Sequence, residues 1–273
     1  MSGKVNDMKT MHKSLEKIKS IGYGSLSILL FLALWEVLVD VKVLNGVIVP
    51  SPMKVIRAVV EMVRSGLLFN HASVSLQRAG YGFSLSFVIA IPLGFLMGGL
   101  FKKLGEVLIP LFKLMEKINP FALFPVFMML LGITETSKIA MIFWVSQWPI
   151  FFNTLVGIRS IDPLLIKSAR SMGAGSRTVF FKVILPAALP NIFTGLKVGA
   201  QVAFFVVVSA ELLGSSRGLG YLIFYSMGSY MIPQLFGAAI CISILGVIIN
   251  KIFALLEKRF LVWKEAAFEI NEG

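Results

Sequence analysis

Apolar runs near the length needed to cross a bilayer follow one another along this chain with few charges inside them. That succession constrains the fold more than any other feature. In lipid the backbone must satisfy its hydrogen bonds internally, and runs of about 20 residues do so as α-helices. Apolar residues make up 57% of the 273 and charged residues only 15%, against about 25% charged in soluble domains. The longest break after the amino-terminal third is Asp162 to Pro190, a basic, glycine-broken segment. Asp162 can cap a helix and Pro163 can occupy its first position, so a short helix is predicted from Pro163 to about Met172, stopped by Gly173 and Gly175. A second is expected from Ser176, with Val179, Phe180, Val183 and Ile184 on its apolar side and Pro186 and Pro190 at the entry to the next run.

Six spans are expected. The first covers Ile21 to Leu38 and, with no small-residue cleavage site after it, is expected to stay as an anchor. The segment from Val41 to His71 contains an interfacial amphipathic helix outside the membrane, with Val55, Ile56, Val59, Val60 and Val63 opposite Lys54, Arg57, Glu61 and Arg64. The second span starts near Ser73 and runs to Leu100, with Gly80, Gly82, Gly94, Gly98 and Gly99 allowing close helix contact. The third, Leu104 to Leu131, is too long for one straight crossing and breaks near Asn119 and Pro120, with its polar cluster of Lys113, Glu116, Lys117 and Asn119 turned into the protein. The fourth runs from Lys138 to Val156, the fifth from Pro186 to Ala210 and the sixth from Gln234 to Leu255, after a connector able to dip back as a half-helix.

Charge sets the topology. Arg159, Lys167, Arg170, Arg177 and Lys182 face one acid, Asp162, in the central loop, the strongest bias in the chain, which places that loop and both termini in the cytoplasm. The net charge of +12 is spread between hydrophobic spans, a pattern that suits lipid rather than nucleic acid. A single cysteine, Cys241, permits no internal disulfide, and His12 and His71 are too few for a metal site. Charges inside spans belong in the bundle interior, a pathway or the interface; Lys251 suits snorkelling, while ion pairing and pathway lining are equally open for Lys197 and Glu211.

At the central loop the chain resembles the permease subunits of bacterial ATP-binding-cassette importers of the type I fold. The pattern there is Glu-Ala-Ala, three residues, Gly, a gap, then Ile-x-Leu-Pro; this chain has Lys167, Ser168, Ala169, then Gly173, then Ile184, Leu185 and Pro186. The spacing is kept, while Lys167 replaces the usual Glu and Ser168 the first Ala. Val49 to Pro52, Gly132 to Lys138, Leu185 to Gly199 and Ala210 to Ile223 further resemble the sulfonate, taurine and nitrate permease group, whose members also include transporters of small heterocycles.

The resemblance implies an all-α polytopic protein of the MetI-like permease fold in the bacterial inner membrane. It implies a division into residues 1–70 (terminus, first span, external helix), a core of 71–256 with a coupling loop at 159–185, and a tail at 257–273. The expected partners are a second permease copy, a cytoplasmic ATPase dimer, an extracytoplasmic solute-binding protein and lipid. Pro163, Lys167, Ser168, Ala169, Arg170, Gly173 and Arg177 are the implied ATPase-coupling residues, and Asn119, Pro120, Phe121, Trp148, Lys197 and Glu211 the pathway candidates. ATP and Mg²⁺ belong to the partner ATPase, because this chain has no GxxxxGK[ST] loop and no cofactor or enzyme activity of its own is expected. An ion-coupled secondary transporter or channel would use the intramembrane charges without an ATPase, and a scaffold subunit would have no transport path.

Overall fold

The computed structural model describes residues 26–261, all helix and connecting turns. The basic segment at residues 1–19, the start of the first span at Ile21, His12 and the tail from residue 262 lie outside the described residues. The helices are α1 (residues 26–40), α2 (Pro52–Arg64), α3 (Leu67–Phe95), α4 (Lys102–Glu116), α5 (Pro120–Leu131), α6 (Glu135–Arg159), α7 (Pro163–Ser171), α8 (Ser176–Val179), α9 (Leu185–Gly214), α10 (Leu219–Gly228) and α11 (Ile232–Phe260).

Among the described residues four continuous helical runs have the length and apolarity to cross a bilayer: Leu67–Leu100, Glu135–Arg159, Ser176–Gly214 and Ile232–Phe260. Counting the bent pair α4 and α5 as one gives five, against the expected six. The described part of α1, at about 1.5 Å per residue, falls short of the roughly 30 Å hydrocarbon core. The expected break in the third span is present as a 94° bend between α4 and α5, where Asn119 leaves the helical conformation and Pro120 begins the next helix.

Two π turns keep helical runs continuous. Pro186 has no N–H for the Lys182 carbonyl and its ring crowds that oxygen. The turn from Phe180 to Ile184 widens to a π-helix, so α8, the π turn and α9 form one run of 39 residues rather than a short helix followed by a separate span. A second π turn, Leu96–Leu100, continues α3 and closes with the Phe101 N–H on the Leu96 carbonyl at 2.7 Å. Gly66, at φ +73°, separates α2 from α3. The second span therefore starts at Leu67, not near Ser73.

α6 packs between α3 and α9 and forms the centre of the bundle. Apolar burial drives little helix association in lipid, so close backbone approach and small polar side chains carry it. A Cβ on Gly82 would lie 2.5 Å from Ile142 and one on Gly94 2.7 Å from Thr154, and Gly98 abuts Ile158. Gly80 and Gly99 face open space, so the seam uses three of the five glycines expected there. The hydroxyls of Ser86 and Ser146 meet across the same seam at 2.6 Å. On the other side of α6, Gly157, Gly195 and Gly199 admit α9.

α2 is helical as expected but presents a different stripe. Val55, Ala58 and Met62 are buried, Val59 joins them against Gly237 of α11, and Ile56, Val60 and Val63 are exposed. The valines run most of the way round this helix, so apolarity alone does not select the packed side. α11 buries only Gly237, Ala238 and Cys241, which leaves most of its surface for lipid or another chain.

Candidate functional site

Two constructions stand at opposite ends of α6, about 37 Å apart along a 25-residue helix. At the Arg159 end lies α7. The Asp162 carboxylate accepts from the Leu164 N–H at 2.8 Å and Pro163 fills the first turn. Met172 ends the helix and Gly173 turns the chain at φ +82°, a conformation that costs a side chain but not glycine. The Gly173 and Ala174 N–H groups return to the carbonyls of Arg170 and Ala169 at 2.9 and 3.1 Å. Gly175 then precedes α8. Ile161 and Ala169 are buried and seat α7 against the turn from Phe180 to Ile184. Leu164, Leu165, Lys167, Ser168, Arg170, Met172 and Arg177 are exposed. The short helix is thus joined directly to α6 and, through α8, to the α9 run, while offering an apolar and basic outer face.

At the Glu135 end is a buried polar cluster assembled from α3, α6, α9 and the start of α10. Glu211, 1% exposed near the end of α9, accepts from Arg78 Nη1 at 2.8 Å, Ser75 Oγ at 2.8 Å and the Gly220 N–H at 2.9 Å. Arg78, 5% exposed on α3, also holds Glu135 through Nε and, at 2.7 Å, Nη2, and donates from Nη1 to the Arg217 carbonyl at 2.7 Å. Lys138, 4% exposed, reaches Glu135 at 3.2 Å. Two cations thus meet two carboxylates, of which only Glu135 is substantially exposed. Balance matters because each unpaired charge left here would cost several kcal/mol.

The same cluster caps α10, which has no capping side chain of its own. The N–H groups of Gly218, Leu219 and Gly220 donate to His71 Nδ1 at 3.0 Å, Ser75 Oγ at 2.8 Å and Glu211 Oε2 at 2.9 Å. α3 and α9 therefore satisfy the N–H groups that a helix start leaves open. Gly218 sits at φ +117°, and a Cβ there would collide with the Glu211 carboxylate. The connector holds a short helix, α10, whose start is tied to this cluster.

The expected pathway residues do not converge within the chain. Asn119 uses its side chain to cap α5, accepting from the Phe121 N–H at 2.9 Å, and Pro120 starts that helix. Phe121 is exposed. Lys113, Lys117 and Asn119 lie on the outside of the chain, contrary to the inward placement expected, and Lys117 pairs with Glu116 at 3.4 Å. Trp148 is buried among Trp144, Phe112 and Phe152, at ring distances of 5.4, 5.8 and 6.4 Å. Lys197 is half-buried with no ion pair among the described residues. Glu211 lies about four helical turns further along α9, committed to Arg78. Among the described residues no group of three His, Cys, Asp or Glu side chains gathers as a metal site.

Comparison with known proteins gives a consistent answer. The chain is 29% identical over 255 residues to the taurine transport system permease protein TauC of Escherichia coli (strain K12), covering 91% of each chain. It is 30% identical over 242 residues to the nitrate import permease protein NrtB of Synechocystis, covering 85% of this chain and 86% of the relative. In structure it matches a chain of the MetNI methionine ABC transporter in an inward-facing conformation at a TM-score of 0.60 and 19% identity, over 68% of this chain and 92% of the other. That likeness establishes the fold, an all-α polytopic type I importer permease. Residues 90–262, well over half the chain and including both α7 and Glu211, match the family model described as the inner membrane component of binding-protein-dependent transport systems, and the chain belongs to that family.

Proposed function

We propose that this chain is the permease subunit of an ATP-driven importer for a small polar anion of the sulfonate, taurine or nitrate kind, or a small heterocycle, with ATP hydrolysed by a partner subunit. The observation that carries the mechanism is α7: a short, rigidly capped helix with an exposed apolar and basic face, joined at one end to α6 and at the other to the α9 run. A push on such a helix moves two spans that pack tightly on each other, so ATPase closure becomes a rigid-body shift of the bundle. Pro163, Lys167, Ser168, Arg170 and Arg177 would meet the ATPase, while Ala169 and Gly173 hold the shape of the lever. Lys167 in place of an acid calls for an acidic or neutral partner surface at that point.

In this reading the basic α7 end is cytoplasmic and the Glu135 end extracytoplasmic. α1 would supply a sixth span, both termini would be cytoplasmic, and residues 71–256 would form the core. Two copies would form the pathway, which gives the exposed Asn119 and Phe121 and the half-buried Lys197 a surface to line that one chain lacks. A solute-binding protein would deliver solute to the Glu135 end. Support comes from the family membership and from the relatives that carry taurine and nitrate in their names.

Co-purification tests the reading. The unmodified chain should bring down an ATPase, and exchanging Leu165 and Arg170 for Glu should release it without loss of the folded membrane part. Gly173→Val should do the same by bending the lever, since the site has room but the wrong φ for valine. The importer reading fails if no ATPase associates and the purified chain alone moves solute down an ion gradient.

A further inference from the structure

The end of the bundle that holds Glu211 also holds a pocket of about 330 Å³, open on one side, along which Ser216, Arg217 and Tyr225 are exposed. Its polar lining is His71, Ser216, Arg217, Tyr221, Tyr225 and Gln234, and no carboxylate takes part. Its frame is rigid. The Arg217 carbonyl accepts from Arg78 at 2.7 Å and from the Ser215 hydroxyl at 2.6 Å, and the next N–H, of Gly218, donates to His71 Nδ1. Accepting at Nδ1 places the proton of the neutral imidazole on Nε2, a donor with no partner among the described residues. The Arg217 guanidinium, whose backbone is so firmly held, has no carboxylate partner among the described residues. Tyr221 stacks on His71 at 5.9 Å and is followed by Tyr225 at 5.9 Å, so aromatic faces form one wall, and Leu67 and Leu222 complete the lining.

We propose that this pocket binds an oxyanion carried on a short organic stem, a carboxylate or a sulfonate. Arg217 supplies the charge and a two-pronged donor. His71 Nε2–H, the two tyrosine hydroxyls and Gln234 supply further donors, while the rings and the two leucines cover the stem. The volume lies near the lower limit for small-molecule sites, which suits an aliphatic sulfonate or one acidic side chain and excludes a nucleotide. The anion has two sources: the free solute, or an aspartate or glutamate of the binding protein that docks at this end. The anion chemistry rests on the lining alone; only the choice between sources rests on the importer reading above.

The experiment uses the permease with its ATPase in nanodiscs. In one arm ethanesulfonate is titrated by calorimetry at low ionic strength; in the other the solute-binding protein is titrated onto the immobilised complex, with ethanesulfonate as competitor. Arg217→Ala should weaken binding by about tenfold or more, as expected for loss of a charge-assisted hydrogen bond, and Arg217→Lys should lose less because it keeps the charge without the fork. Exchange of exposed Lys54 on α2 is the control and should change nothing. A loss in the ethanesulfonate arm supports the free anion; a loss confined to the protein arm supports the docked side chain. An assembled complex that hydrolyses ATP, yet binds both ligands equally well with and without Arg217, overturns the proposal and leaves the importer reading intact. A chain that recruits no ATPase but still binds ethanesulfonate through Arg217 does the reverse.

Discussion

Replacing Arg78 by Met removes four hydrogen bonds: two to Glu135, one to Glu211 and one to the Arg217 carbonyl. At about 0.6 kcal/mol each, the average for side-chain hydrogen bonds in a membrane bundle, their loss alone would cost roughly 2.5 kcal/mol. Glu211 is 1% exposed and would keep only Ser75 and the Gly220 N–H as donors, with no cation beside it. An orphaned buried charge raises the cost to about 3–5 kcal/mol, or roughly 6–20 °C in melting temperature at about 2–4 °C per kcal/mol for a chain of this size. The decisive comparison is the double exchange Arg78→Met with Glu211→Gln. Gln keeps an acceptor for Ser75 and Gly220 but carries no charge, so the double variant should be about 1–2 kcal/mol more stable than Arg78→Met alone. The chain has one cysteine, Cys241, and it is 8% exposed, so a thiol-reactive fluorophore reports unfolding of the purified protein directly. A double variant that melts as low as the single one would refute the idea that an unpaired Glu211 dominates the cost.

Gly80 and Gly82 should respond oppositely to alanine, read by the same thiol assay. Gly80→Ala should be neutral or stabilising by up to about 1 kcal/mol, because the site is open and alanine is the better helix former. Gly82→Ala should destabilise by about 1–3 kcal/mol as the α3–α6 seam is forced apart. Gly218→Ala should exceed the loss at Gly82, since it combines a strained φ with a collision against Glu211, and limited proteolysis should find cleavage near α10. Lys167→Glu should leave the stability within about 0.5 kcal/mol of wild type, the side chain being exposed, while reducing ATPase retention if the partner surface is acidic; unchanged retention against an acidic surface would remove Lys167 from the contact.

The short helix α7 was legible residue by residue because each of its determinants is local. Asp162 and Pro163 start it, Gly173 ends it, and all three act within one turn of their own positions. The elbow at Asn119 and Pro120 was legible for the same reason, and so were the long apolar runs, whose helicity in lipid follows from backbone satisfaction alone. The run through Pro186 was misread as a break because a proline's lost hydrogen bond can be absorbed by one widened turn, and only the surrounding packing decides whether it is.

The sequence by itself therefore determined that this chain is a helical membrane protein with a basic, glycine-stopped short helix between two spans, since composition and nearest-neighbour chemistry suffice for that. Only the tertiary structure decided which charges meet. Arg78 stands 57 residues from Glu135 and 133 from Glu211, and no periodicity links positions so far apart. Glycines at 218 and 220, close behind a glutamate, were the one trace of the cluster, and their reason is steric: a carboxylate occupies the space a side chain would need. Likewise α2 carries valines on several faces, and the face that packs was chosen by Gly237 on a helix some 175 residues away, where the close approach that holds helices together in lipid was available.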